Sequence, residues 1–538
     1  MKQRDLLVGA IFVAMLLTTG TARATTYGLT CTNTSSDNLE NTLLGLASYP
    51  WNAINGGPGG TQAVKPGDLV ELTNICQGDV LISAATSGIT ITNRNHNTIG
   101  ISNIDGINGQ LAVKNAQLNA DGLVLEAGVG TDSMTVGELA DVYVNEGGSI
   151  RMNDVQLETA PLIGLYLLPG GSAQLIGGTA IENAGSLDTA NKNDGIRAEQ
   201  GSNVTLGSPS GGGGPQVEFN MGNGITLLSG SSLEVLGGSV VGFNGNCTQQ
   251  CGNQIHASGA SSVLITGNST VEVNSSATTQ PPLIAVMGAS SITIDQTSFV
   301  GNVSAGEAPG ALLVAAGSTA LLNTALVVGT GLAKPVIEAS TTASLVLGGG
   351  NTVCAGAYAN PTCTVSAGGT AIEVDHSSSL IQQLAATVGY TSGGAEAITG
   401  KGTVLMQSSM ELGQGPVSGA FGLVWSGALS VGQNSAIRMQ SGVHVTGAVQ
   451  ISAASNGYFN CNNNGNSCSG AGAANEIDGT VQSLELLATP ANPSVHVSNP
   501  QLIVNSSLAA DSGVAVANLF GASSFATSTP ATNTCLNF

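Results

Sequence analysis

Residues 230–244 read GSSLEVLGGSVVGFN, two brief apolar bursts set among glycines and serines. Leu233 and Val235 flank Glu234, and Val240 and Val241 follow a Gly-Gly pair. This period-2 alternation predicts short strands with one face inward, and each burst is too brief for a helix. One such strand can bury neither its apolar face nor its backbone groups, so the pattern demands a neighbour of the same kind.

The neighbour is written in the chain itself. Gly201, Gly230, Gly259, Gly288 and Gly317 stand 29 residues apart, each followed by a small residue, and similar text surrounds each. GGSIRMN (147–153) and GGSAQLIGG (170–178) are looser copies, and Thr341 and His376 hold the same slot further on. Within one unit, QIHA (254–257), SSVLI (261–265) and TVEV (270–273) read as three strands separated by turn residues. Three strands per repeat of under 30 residues predict one coil of a parallel β-helix, an all-β solenoid that rises by one strand spacing of roughly 4.8 Å per coil. The segment 233–235 is expected to pair with 204–206 below and 263–265 above. Asn244, Asn274 and Asn302 end three units at nearly equal spacing, and an amide ladder between coils is expected there.

The ends read differently. SSDNLENTLLGLAS (35–48), with Leu39, Leu43, Leu44 and Leu46, predicts a short amphipathic helix capping the first coil. Residues 1–24 carry Lys2 and Arg4, an apolar run and Ala22-Arg23-Ala24, the layout of a secretory signal peptide. The expected organisation is signal peptide 1–24, N-terminal cap and entry strands 25–79, parallel β-helix 80–480, and a closing rung with a flexible tail over 481–538. No later stretch is apolar and long enough for a transmembrane helix.

The entry helix, the GD turn of KPGDLVEL (65–72), the GITIT rung at 88–92, and the N-then-G-I rungs of NKNDGIRAEQ (191–200) and NMGNGITLL (220–228) resemble right-handed β-helix proteins of the pectin-lyase-like superfamily. The resemblance covers about residues 28–480 on this reading of the repeats. It implies the fold, but not one activity, because the group includes lyases, glycosidases and esterases beside adhesins and phage fibres.

Composition narrows the partners. The chain has a net charge of −21 with only 8% charged residues, and loss of Lys2, Arg4, Arg23 and Asp5 with the signal takes it to −23. Such a surface repels phosphates, which excludes nucleic acid as the expected partner. Hydrophobic residues make up 42% and aromatics 3%, so the interior is expected to be thin aliphatic layers. All nine cysteines follow the signal, and an exported chain reads them as disulfides. Local pairs Cys247–Cys251, Cys354–Cys363 and Cys461–Cys468 are expected, with Cys31 and Cys76 as a further pair and Cys535 left over, although spacing does not fix connectivity. A metal site of Cys247, Cys251 and His256 lacks a fourth ligand, and no metal or cofactor is expected.

Chemistry-bearing residues are few. NKNDG (191–195) resembles the N-T-D-G element of polygalacturonase-type glycosidases, which would make Asp194 an acid, but the paired Asp-Asp, G-H-G and R-I-K elements are absent. Glu199 and Glu218 are the nearest acids downstream, and Arg197 the nearest base. Those four are the candidates if the protein is an enzyme; a turn aspartate beside a surface ion pair is the simpler expectation. Arg151 with Asp154 and Glu158 reads the same way. Glu373, Asp375, His376 and Ser377 are too close in sequence to converge as a triad. The last hundred residues lack the alternating, aromatic-girdled segments of a membrane barrel. The expected function is an exported, non-catalytic β-helix, secreted or in the cell envelope, that binds a polysaccharide or a surface protein. The alternatives are a polysaccharide lyase or glycosidase with a lateral groove, or a purely structural surface protein.

Overall fold

The computed structural model describes most of residues 24–93, 106–126, 140–185 and 194–382, and beyond 382 the backbone of individual strands. The chain winds as a right-handed parallel β-helix whose coils each contribute one strand to three long sheets. In the coil that carries residues 230–244, Ile225–Leu227 lies in sheet 1, Ser232–Val235 in sheet 2 and Val240–Gly242 in sheet 3. Leu233 pairs with Val204 of the coil before and Val263 of the coil after, and Val235 with Leu206 and Ile265. These are the partners expected from the repeat.

Alternation sets the interior. Leu233 and Val235 are buried while Glu234 between them is exposed, and Ile292 and Ile294 are buried around a half-buried Thr293. Stacking turns each inward position into an aliphatic column. Ile196, Ile225, Ile255, Ile284, Leu312, Ile337 and Ile372 form one in sheet 1, and Ile181, Val217, Val241, Val271, Val300, Val327 and Val353 form another in sheet 3. Each fully buried member contributes about 1.5–3 kcal/mol. The columns merge into one continuous core from Tyr27 to Leu380.

The repeated glycine marks the corner between sheets 1 and 2. Gly147, Gly170, Gly201, Gly230, Gly259, Gly288 and Gly317 all have φ between 63° and 80°, the left-handed region that glycine enters without a Cβ clash, and Thr341 takes the same conformation. From Gly201 onward the corner uses two left-handed residues in succession, such as Ser229-Gly230 and Gly259-Ala260. Glycine is second in the former and first in the latter, so the constant glycine interval is not the strand interval. From Leu233 to Val263 the step is 30 residues, and from Ile292 to Ala320 it is 28.

Next to this corner runs a buried serine column: Ser202, Ser231, Ser261, Ser290 and Ser318. Ser290 Oγ accepts from the Ser261 amide and Ser318 Oγ from the Ser290 amide, both at 3.1 Å, so hydroxyls satisfy amides that a tight turn would orphan. A second polar column sits inside the sheet 3 exit. Asn220 Nδ2 donates to Asn244 Oδ1 at 2.8 Å, and Asn244 Nδ2 donates to Gln254 Oε1 at 2.9 Å. Asn244 therefore ladders with Asn220 and Gln254; Asn274 and the Asn302 side chain lie outside the described residues.

The helix spans Leu39–Leu43, shorter than the sequence pattern predicts. Gly45 at φ 71° ends it: the Gly45 amide donates to the Thr42 carbonyl and the Leu46 amide to the Asn41 carbonyl. Leu39 and Leu43 are buried in the core with Tyr27 and Trp51, while Leu46, past the stop, is 45% exposed. Cys31 and Cys76 form the expected disulfide at this end. Cys354 is also disulfide-bonded, and Cys363, its expected partner, lies on the hairpin Tyr358–Ala359 with Thr362–Cys363. Cys247, Cys251, Cys461 and Cys468, and residues 1–23, lie outside the described residues, as does the side chain of Cys535.

Candidate functional site

Outward positions stack as strictly as inward ones. On sheet 1, register places Tyr143, Tyr166, Arg197, Thr226 and His256 in one column across five coils. Tyr143, Tyr166, Arg197 and His256 alternate with buried neighbours, as Tyr166 does between Leu165 and Leu167, while Thr226 is itself buried. The two tyrosine rings meet edge to face, 5.8 Å between centroids. Lys114 and Glu146 form an exposed ion pair at 2.9 Å at the tyrosine end.

Arg197 is the fixed point of the column. Its Nε donates to Glu199 Oε1 at 2.6 Å and its Nη1 to Asp194 Oδ2 at 3.4 Å. Asp194 is 3% exposed and accepts from the Asn223 amide at 3.2 Å; its other partner is the Thr226 hydroxyl. Burial raises the Asp194 carboxyl, while Arg197, Thr226 and Asn223 pull the other way. His256 is pushed down by burial and then by Arg197, which favours its neutral imidazole. Three of the four candidates from the sequence thus converge: Asp194, Arg197 and Glu199. Both carboxylates are committed to one guanidinium, which makes a rigid, preorganised patch.

Glu218 is elsewhere. It stands on sheet 3, where Glu158, Glu182, Glu218, Gly242 and Glu272 occupy one register column. Adjacent strands of a sheet are roughly 4.8 Å apart, so this register sets like charges on neighbouring coils against one another. Burial, with Glu182 and then Glu272, pushes the Glu218 carboxyl up to about 7, and burial raises Glu182 and Glu272 too. No Lys, Arg or His lies on these strands. Immediately after two of them, Phe219 and Phe243 stack with centroids 5.5 Å apart and planes 11° from parallel, and Phe219 is 51% exposed. Both take left-handed φ, 57° and 56°, a conformation bulky residues rarely adopt.

Other expectations resolve as turn chemistry. Asp375 accepts from the Thr341 amide at 2.6 Å and from the Ser377 amide and hydroxyl at 2.9 Å, and these bonds hold its carboxyl at about 2. Ser377 Oγ accepts from the Thr342 amide, so this hydroxyl braces a corner; His376 lies outside the described residues. Arg151 stands on sheet 2 and Glu158 on sheet 3. His256 belongs to the sheet 1 column, while Cys247 and Cys251 are outside the described residues. Among the described residues no three His, Cys, Asp or Glu side chains are placed to hold a metal ion.

Sequence reasoning did not find the tyrosine-to-histidine column, the glutamate column or the phenylalanine pair. A signal existed for the last two: QLE (156–158), AIE (180–182), QVEF (216–219), VVGF (240–243) and TVEV (270–273) share one slot per coil. The sequence matches no protein family's profile, and no curated protein is significantly similar to it.

Proposed function

We propose that this is an exported, non-catalytic binding protein whose ligand, a neutral glycan, lies along the outward face of sheet 1. The observation that carries the reading is the column Tyr143–Tyr166–Arg197–Thr226–His256. In a chain with 3% aromatics, two outward tyrosines in contact give apolar surface for the C–H faces of pyranose rings. The Arg197 fork, fixed by Asp194 and Glu199, and His256 supply hydrogen bonds at low ordering cost. The net charge of −21 disfavours polyuronates and other polyanions. The signal-like start and the Cys31–Cys76 disulfide support an oxidising destination outside the cytosol. The resemblance to the pectin-lyase-like superfamily supports the fold and leaves activity open.

Calorimetric titration against neutral and acidic polysaccharides, with an assay for released sugar ends with and without calcium, tests this. Neutral-glycan affinity falling roughly tenfold in Tyr166→Ala, with no sugar ends released, is the expected result. Turnover abolished by Asp194→Ala or Arg197→Ala would replace binding by catalysis.

A further inference from the structure

The glutamate column of sheet 3 has a built gap that the sheet 1 reading does not use. Gly242 interrupts the column between Glu218 and Glu272, and a Cβ there would lie 3.5 Å from Glu218 Oε1 and 3.2 Å from Glu272 Cγ. Both side chains therefore lean over the glycine from the coils on either side. Glu218 is 9% exposed and has no hydrogen-bond or ion-pair partner among the described residues. A largely buried carboxyl beside Gly242, flanked by Glu182 and Glu272 and by no base on these strands, is a group whose charge a cation would balance. Beside it the exposed Phe219 ring, stacked on the half-buried Phe243, offers aromatic surface.

We infer that the Gly242 gap is a binding site for a primary ammonium group, taken between Glu218 and Glu272 with its carbon skeleton against Phe219 and Phe243. The chemistry selects the ion. A metal needs several oxygens converged at about 2.3–2.6 Å, and the described acids are not so placed. An ammonium carries three N–H donors that need only hydrogen-bond distances of about 2.7–2.9 Å, and aromatic rings attract it and its aliphatic stem. The acidic field of the chain concentrates cations at its surface. An amino sugar and a polyamine both present this group. The raised Glu218 carboxyl supports the reading, since a cation in the gap would relieve what raises it.

Calorimetric titration of the full chain tests the site with four probes: a glucosamine oligomer, its N-acetylated counterpart, putrescine and calcium chloride. The expected result is saturable binding of the glucosamine oligomer, putrescine or both, at least about tenfold tighter than the N-acetylated oligomer, which has lost the charge. Their ranking identifies the source of the ammonium. Glu218→Gln is expected to weaken binding about tenfold, and Phe219→Ala by about threefold or more. Glu234→Gln, an exposed acid on sheet 2, leaves it unchanged, which separates this site from the acidic surface at large. If Glu218→Gln fails to fold, Gly242→Ala fills the gap and gives the same loss. Equal affinity for free and acetylated amines, binding indifferent to these substitutions, or saturable calcium binding without amine binding would overturn the proposal.

Discussion

The Gly230 amide donates to the carbonyl oxygen of Gly259 at 2.7 Å, across one coil step. That bond shows what the repeated glycine does. It turns the chain through a left-handed corner and hands its backbone groups to the next copy. The corner stacks as tightly as the strands, and stability resides in columns that run the length of the solenoid.

Asn244 is the most exacting member of those columns. It accepts from the Asn220 amide at 3.0 Å and from Asn220 Nδ2, and it donates to the Val217 carbonyl and Gln254. Asn244→Ala leaves several buried groups unpaired and should cost about 3 kcal/mol. The urea midpoint is expected to fall accordingly, whereas an exposed change such as Glu234→Gln should leave it in place.

The serine column is predicted to be weaker per member. Ser290→Ala removes the acceptor of the buried Ser261 amide and should cost about 1–2 kcal/mol. The hydrogen-exchange protection of the Ser261 amide is the site-specific reading, and it should drop first.

Glu218 makes stability pH-dependent with a definite sign. Its folded carboxyl is raised from 4.5 to about 7, so the folded state holds the proton longer than the unfolded chain. Stability is then fully present below the unfolded value and declines as pH rises through about 7. Glu182 and Glu272, which face it, shift in the same direction. Thermal melts from pH 4.5 to 8.5 should show a falling Tm in the native chain and a flatter profile in Glu218→Gln. A Tm that rises over this interval in the native chain would refute the assignment.

Asp375 predicts the opposite dependence. Its carboxyl is held at about 2 by bonds from Thr341, Ser378 and Ser377, so its contribution is present above the unfolded value near 3.8 and is lost as pH falls through about 2. Asp375→Ala should lower Tm at pH 6 and make little difference at pH 2, where the native carboxylate is already being protonated.

The Cys31–Cys76 bridge closes a sequence separation of 45 residues at the capped end. By loop entropy it should contribute about 4 kcal/mol. Reduction is expected to expose Trp51, which packs 4.8 Å from Tyr27, and to shift its fluorescence to the red.

The sequence determined the solenoid because every level of its pattern agrees. Three short alternating runs per unit, a left-handed corner marked by glycine and an aliphatic composition specify stacked coils, and the pairing of Leu233 with Val204 and Val263 follows. What the tertiary structure decided is which outward residues meet. Glu182, Glu218, Gly242 and Glu272 are separated by 36, 24 and 30 residues, yet they stand in one column. The connections from sheet 3 to sheet 1 vary in length, which erases the interval from the sequence. Parallel backbone hydrogen bonding restores it in space, and brings to one face side chains that no fixed spacing joins.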